Sequence, residues 1–390
     1  MLVTWYSNAP WVGSGYGTQT AQMVPRLVAD GHDVAIASNF GLMGMISDWN
    51  GVPVFPAGLD KYSNDILMAH HQAHTKGKPS WLVTLYDTWA LEPQFFKSAR
   101  IASWTPVDHM PVPPQVAGWA KDHFTIAMSR YGERMFAEAG VKARYAPHGI
   151  ERVYQPTPTT EAGDSGRKAM GLPEDAFVVM VNAANTGNHP PRKGWGEMLT
   201  AFGAFARNHA DAYLYLHTSQ VGVSGIDLVR LAGSTMIPPG RVKFVDQYGY
   251  AVGLISQRDM AALYTAADVL LATSYGEGFG LPVIEAQACG TPVIVSDFTA
   301  QPELVGGGWK VLVQPWWDHS HNAYFGVPMV GLIIKALEEA YERRGDPVLR
   351  DQAIVKAAEY DADLVYDTYW RPILAEMESM LLPRKVRRKR

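Results

Sequence analysis

Glu277 and Glu285 bracket the seven residues GFGLPVI, and the residue types between them are those that build an anion site. Gly278 and Gly280 let the backbone approach a bound group closely. Leu281 and Pro282 suit the opening of a helix, whose unpaired N–H groups and positive dipole end attract negative charge. A carboxylate ahead of such a loop accepts hydrogen bonds from sugar hydroxyls, and one in the first helical turn can hold a ribose diol. The plainer alternative is a tight turn in which the dipole merely stabilises Glu285. Two carboxylates, two glycines and an initiating proline within nine residues favour the binding reading.

Other residues with chemical potential sit at similar places. Arg192 and Lys193 form a basic pair in NHPPRKGW, after an apolar run. The loop GSGYG (13–17) follows the first apolar run but fails the dinucleotide fingerprint, because Thr18 stands where a third glycine is required. Asp108 and His109, in WTPVDHMPVPP, are candidates to orient a hydroxyl or hold a sugar; a satisfied structural His–Asp pair is the alternative. Asp87 is a further candidate on the same side. Three patterns are set aside. Asp361 and Asp363 spell D-x-D, but two residues apart on a helix they point in different directions. His70 and His74 lack the glutamate of a zinc protease helix. Glu277 and Glu285 do not straddle a bond as a glycosidase pair must.

The elements that carry these residues alternate. LVTWYS (2–7), DVAIAS (33–38), WLVTLYD (81–87), IASWTPV (101–107) and FTIAMS (124–129) read as buried strands. Helices are expected at Thr18–Asp30 and Arg130–Glu138. A Pro-, Thr- and Gly-rich stretch at 155–173 marks a linker, after which FVVMVNAAN (177–185), AYLYLHT (212–218), RVKFVD (241–246), VLLATS (269–274) and PVIVSD (292–297) resume the rhythm. Helical stretches are expected at Val327–Arg343 and Pro347–Met380. The fold class is α/β with two doubly wound parallel sheets, and ligands of such sheets bind beyond the strands' carboxyl ends.

Composition narrows the setting. At 390 residues, 47% hydrophobic and 18% charged, the chain has the size of two or three globular domains. It has no apolar run of membrane-spanning length, and its N-terminus lacks the pattern of a signal peptide. The single Cys289 rules out an intrachain disulfide framework or a cysteine zinc cluster. A soluble, cytoplasmic protein is expected. Six of the 34 Lys and Arg residues fall in the last eight, PRKVRRKR, so the −4 net charge combines a body near −10 with a basic tail. That is not the profile of a protein gripping nucleic acid over a broad face. The tail alone leaves nucleic-acid contact open; a frayed terminus is the plainer reading.

The stretch TSYGEGFGLPVIEAQACGTPVIVSDFTAQPELV (273–305) resembles the nucleotide-sugar-dependent retaining glycosyltransferases of the GT-B fold, family four, also called glycosyl transferases group 1. The hallmark is Glu, seven residues, Glu. APHGIERVYQPTP (146–158) is similar to the family's entry into its second domain, and LYTAADVLLATSYGEGFG to the approach to the glutamate pair. The resemblance implies two Rossmann-like domains facing a cleft. These are 1–160 on the acceptor side, with a last helix (about 366–382) packing back on it, and 161–365 binding the nucleotide sugar, followed by a 383–390 basic tail. It implies that Glu277, Gly278, Phe279, Gly280 and Leu281 hold donor sugar and phosphate, that Glu285 holds the ribose, and that Arg192 and Lys193 neutralise the departing diphosphate. Gly15 faces the donor phosphates, His109 and Asp108 lie at the sugar or acceptor, and Ser256–Asp259 lies near the base. Where many relatives carry an arginine, this chain reads Asn182-Ala-Ala-Asn185. The expected reaction is retaining transfer of a hexose from a UDP- or GDP-sugar to a hydroxyl of a glycan or glycan carrier, with no cofactor and no metal. Modification of a polymer such as hydroxylated DNA bases or protein stays open, as does an idle sugar-nucleotide-binding protein.

Overall fold

The computed structural model describes residues 1–186, 192–222 and 224–382. In the first half, eight strands form one sheet: β1 (Leu2–Ser7), β2 (Asp33–Ser38), β3 (Ser47–Trp49), β4 (Val52–Phe55), β5 (Ser80–Leu85), β6 (Ile101–Thr105), β7 (Phe124–Ala127) and β8 (Arg144–Tyr145). Their order is β3-β4-β2-β1-β5-β6-β7-β8, parallel except for the β3–β4 pair. The strands read as near-continuous apolar runs because helices cover both faces; Val3, Trp5, Ile36, Val83 and Trp104 are all buried.

The second sheet is built from β9 (Phe177–Asn182), β10 (Ala212–His217), β11 (Val242–Phe244), β12 (Val269–Ala272), β13 (Val293–Ser296) and β14 (Gly308–Val311). Its order is β11-β10-β9-β12-β13-β14, all parallel. In each sheet the chain reverses its direction of travel once, between β1 and β5 and between β9 and β12. The crevices at those two switch points, beyond the strands' carboxyl ends, are where a ligand fits such sheets.

A two-stranded antiparallel hairpin, β15 (Val313–Asp318) and β16 (Ala323–Pro328), follows the second sheet. The sequence pattern predicts no hairpin here and a helix from Val327. Val327 and Pro328 instead complete β16, and the helix runs Val330–Glu342. The hairpin reaches the first half, where the backbones of Met110 and Tyr324 exchange hydrogen bonds of 3.0 and 2.8 Å.

The expected continuous helix over Pro347–Met380 is broken. A helix at Pro347–Ala358 ends before Asp361, whose side chain accepts from the amides of Asp363 and Leu364 and so starts a new turn. At this break Ile150 N donates to Tyr360 O and Ala362 N to Ile150 O, so the two chain crossings between the sheets lie side by side. Asp361 pairs with Arg152 and Asp363 with Arg26, which accounts for both carboxylates of the D-x-D letters. Beyond the break, Arg371–Leu381 packs on the first sheet: Trp81 Nε1 donates to Met377 O at 3.0 Å, and Arg144 pairs with Glu376. Trp370 is fully buried against Trp104 and Trp5, with ring centroids 4.8 and 6.1 Å away. No helix among the described residues is long and apolar enough to cross a membrane. The 383–390 tail lies outside the described residues.

Candidate functional site

The two crevices face each other across a cavity of about 410 Å³. From the first sheet it takes Gly13–Tyr16 after β1, Asp87 after β5, and Pro106 and Asp108 after β6; from the second, Asn182 at the end of β9 and Ser274 and Glu277–Val283 after β12 contribute. Glycine is required where the halves meet. A Cβ on Gly276 would lie 2.0 Å from Asp108 O, and one on Gly278 2.3 Å from the Pro106 Cβ. Gly15 is less constrained, its Cβ position being 3.4 Å from Leu281 Cδ1. The loop ends at Gly280, whose φ of 119° is open to glycine alone, and the helix Leu281–Ala288 begins. Its first turn, Leu281, Pro282 and Val283, lines the cavity, and the positive end of a helix attracts an anion.

Glu277 sits on the floor of this cavity between two cations. Lys193 Nζ donates to its Oε1 at 2.5 Å and Arg192 Nη1 to its Oε2 at 3.0 Å. Burial alone would raise the Glu277 pKa, but Arg192 and Lys193 outweigh it and hold the carboxyl at about 2. Arg192 is fixed through its backbone, whose carbonyl accepts from Tyr275 N at 2.7 Å, and its Nη1 also donates to Gly276 O. Burial works on it in the unfavourable direction, yet the surrounding carboxylates raise its pKa. The Lys193 pKa is lowered, by desolvation first and by Arg192 second. An added anion beside it would offset the repulsion from Arg192 and favour its charged form.

On the facing wall Asp108 is partly buried; desolvation is overcome by His109 and Arg192, and its pKa falls below the ordinary carboxylate range. Its Oδ2 lies 3.7 Å from Arg192 Nη1. Asp87 moves the other way: burial and then repulsion from Asp108 raise its pKa to about 6. Tyr16 donates its hydroxyl to Asp87 at 3.1 Å. His148 also lines the cavity, edge-on to Phe279 with centroids 5.1 Å apart. Burial lowers its pKa to about 3, and its Nδ1 has no partner among the described residues.

The sequence-predicted residues divide accordingly. Gly15, Asp108, Arg192, Lys193, Glu277, Gly278, Phe279, Gly280 and Leu281 line the cavity together. His109 is not among its lining residues. It is 3% exposed and lies behind Asp108, which it contacts at 2.7 Å, while its other nitrogen faces the hairpin. Glu285 also lies behind the lining, buried, and accepts from Tyr264 Oη at 2.9 Å. Asn182 lines the cavity and donates to that same tyrosine oxygen at 2.6 Å. Desolvation raises the Glu285 pKa to about 7. Asn185 turns away to hold the carbonyls of Ser219 and Ile226. Ser256 and Asp259 form a capping box, with Asp259 also accepting from Glu161 N, and Tyr250 is the nearby residue that reaches the cavity. His70 and His74 bond separate carbonyls, of Pro56 and Asp33. Tyr16, in the glycine loop, and His148, in APHGIE, carry no local signal of a site, and only their shared cavity reveals them.

Residues 250–321 match the family described as Glycosyl transferases group 1. The matched residues are 72 of the 390, and they lie on a GT-B fold. The matched residues include the whole Glu277–Glu285 segment and the first hairpin strand. The chain is 33% identical over 150 residues to the D-inositol 3-phosphate glycosyltransferase of Mycobacterium tuberculosis, covering 37% of this chain and 27% of that relative's length. Among solved structures it is similar to sucrose-phosphate synthase from Thermosynechococcus elongatus, with a TM-score of 0.72 and 18% identity, over 96% of this chain and 100% of that one. It is similar also to Anabaena HepE in complex with UDP-glucose, with a TM-score of 0.64 and 15% identity, over 96% and 100%. The glutamate pair therefore lies within the matched residues, and the facing wall comes from the part of the chain outside them.

Proposed function

We propose that the protein is a retaining hexosyltransferase that takes a UDP- or GDP-linked sugar and transfers the hexose to an acceptor hydroxyl. The observation that carries this reading is Glu277 clamped between Lys193 and Arg192 at the head of the glycine loop. A carboxylate there accepts from hexose hydroxyls. The two cations and the first-turn N–H groups after Gly280 meet the diphosphate. The UDP-glucose complex of a protein with the same fold supports this class of donor.

In this reaction the bond from the anomeric carbon to the diphosphate oxygen breaks on the face where the acceptor oxygen adds. The acceptor proton passes to the leaving phosphate oxygen, and Arg192, Lys193 and the helix terminus balance the charge that develops. Asp87 and Asp108 stand on the opposite wall, where an acceptor hydroxyl is oriented. No catalytic metal is assigned to the step. A panel of UDP-, GDP- and ADP-sugars scored by thermal shift, followed by donor turnover with and without acceptor, tests the reading. A donor that raises the melting temperature and is turned over supports it. Absence of a shift with every nucleotide sugar rejects it, and a shift with no turnover leaves only a binding protein.

A further inference from the structure

Behind Asp108, outside the cavity lining, the tip of the β15–β16 hairpin meets the loop after β6. There His109, Asp318 and His321 each offer one atom, and these atoms all lie within 4.8 Å of one another. We infer that these three side chains form a zinc-type divalent-cation site that ties the second half of the molecule to the first.

The donors suit such an ion. Two imidazole nitrogens and one carboxylate oxygen match zinc and its neighbours, whereas magnesium and calcium seek oxygen sets. His109 Nε2 lies 3.3 Å from Asp318 Oδ2, the ligand–ligand spacing of roughly 3.3–3.5 Å expected around a tetrahedral zinc. His321 Nδ1 is closer, 2.6 Å from the same oxygen, and a small side-chain rotation opens that contact. His109 and Asp318 are 3% and 2% exposed. The His321 side chain is 28% exposed, which gives the ion an entry path and room for a water as fourth ligand.

An outer layer holds the ligands in place. Asp108 Oδ1 contacts His109 Nδ1 at 2.7 Å, the carboxylate–histidine pairing that turns the opposite nitrogen's lone pair toward a metal. With the proton on Nδ1, Nε2 faces Asp318 Oδ2 as a lone pair, and either a second ring proton or a cation between them satisfies the contact. Ser320 N and Oγ donate to Asp318 Oδ1 at 2.9 and 2.6 Å, leaving Oδ2 for the ion. Phe325 lies over the His109 ring, with centroids 3.8 Å apart, and closes one side. Because Asp108 also faces Arg192, an ion here would steady the loop on the acceptor wall without touching the donor.

The test uses the full-length protein stripped with a chelator and titrated with Zn²⁺ against a competing fluorescent chelator. One saturable equivalent is expected, with a dissociation constant below ~1 µM, and an upward shift in melting temperature. His321→Ala, at the most exposed ligand, and Asp318→Asn should each weaken binding by at least ~10-fold. Co²⁺ in place of Zn²⁺ should give the visible absorption of a four-coordinate site in the wild type and not in His321→Ala. Absence of a saturable equivalent in the stripped wild type overturns the inference and leaves a hydrogen-bonded His–Asp–His latch. Equal affinity in both variants overturns it as well, placing the ion elsewhere. Loss of nucleotide binding on stripping, restored by Zn²⁺ equally in His321→Ala, would assign the metal to the donor instead.

Discussion

Replacing Lys193 by methionine separates stability from catalysis at the centre of the site. Glu277 is held at about 2 instead of 4.5, which corresponds to about 3 kcal/mol in favour of its ionised form at neutral pH. Its folded pKa is depressed, so this contribution is complete above pH 4.5 and disappears as pH falls through 2. Arg192 at 3.0 Å remains in Lys193→Met, so about half of that preference, ~1.5 kcal/mol, is given up. Removal of the ammonium offsets much of this loss, because desolvation and Arg192 already disfavour its charge. The net stability change should be within ~1 kcal/mol, or a melting shift of about 2–4 °C. In the proposed reaction Lys193 meets the departing diphosphate, and loss of one such donor typically costs ~2.7–4 kcal/mol, or 10²–10³-fold in kcat. Steady-state transfer beside a thermal melt reads both quantities. A kcat within threefold of wild type refutes the assignment of Lys193 to the leaving group. A melting loss above ~10 °C would show that the pair is chiefly structural.

Three further predictions concern the surrounding residues. Glu285 has a pKa raised from 4.5 to about 7 by burial, so between those values the folded state holds a proton that the unfolded state has lost, and stability falls as pH rises by up to about 3 kcal/mol; the melting temperature of Glu285→Gln should lack that decline between pH 5 and 7. Asp87, raised to about 6, should give an acid limb near that pH in kcat/KM for the acceptor. In Asp87→Asn the limb should vanish while donor binding by calorimetry stays unchanged. Gly278→Ala places a Cβ 2.3 Å from Pro106, so the halves should fail to close: transfer should drop at least ~10-fold, nucleotide binding should persist, and small-angle scattering should report a larger radius.

The local pattern of the chain determines five strands of each sheet, but not Ser47–Trp49, Val52–Phe55, Arg144–Tyr145 or Gly308–Val311, which are short and partly exposed. LVTWYS, DVAIAS, FVVMVN and AYLYLH are strands because apolar runs of that length, bounded by turns, are buried on both faces of a parallel sheet. The glutamate pair is legible for the same local reason, since glycines, a proline and two carboxylates within nine residues constrain one loop and one helix start. The hairpin is not legible. Its strands carry Pro315, exposed Trp316 and Trp317 and a turn of Ser and His, so they show no buried periodicity and are held by partners from the other half. The break at Asp361 is hidden too, because it depends on the pairing of Tyr360 and Ala362 with Ile150.

The placement of His109 depends on tertiary structure in the same way. Beside Asp108 in the sequence it reads as a cleft residue, and only the return of Asp318, 209 positions later, shows that its ring turns away from the cavity. The Lys193–Glu277 contact likewise spans 84 positions. Sequence determines which side chains stand at which strand ends, because that follows from local burial and turn chemistry. The charge each of them carries, and which way it faces, are set by the long-range neighbours and desolvation that only the closed tertiary structure supplies.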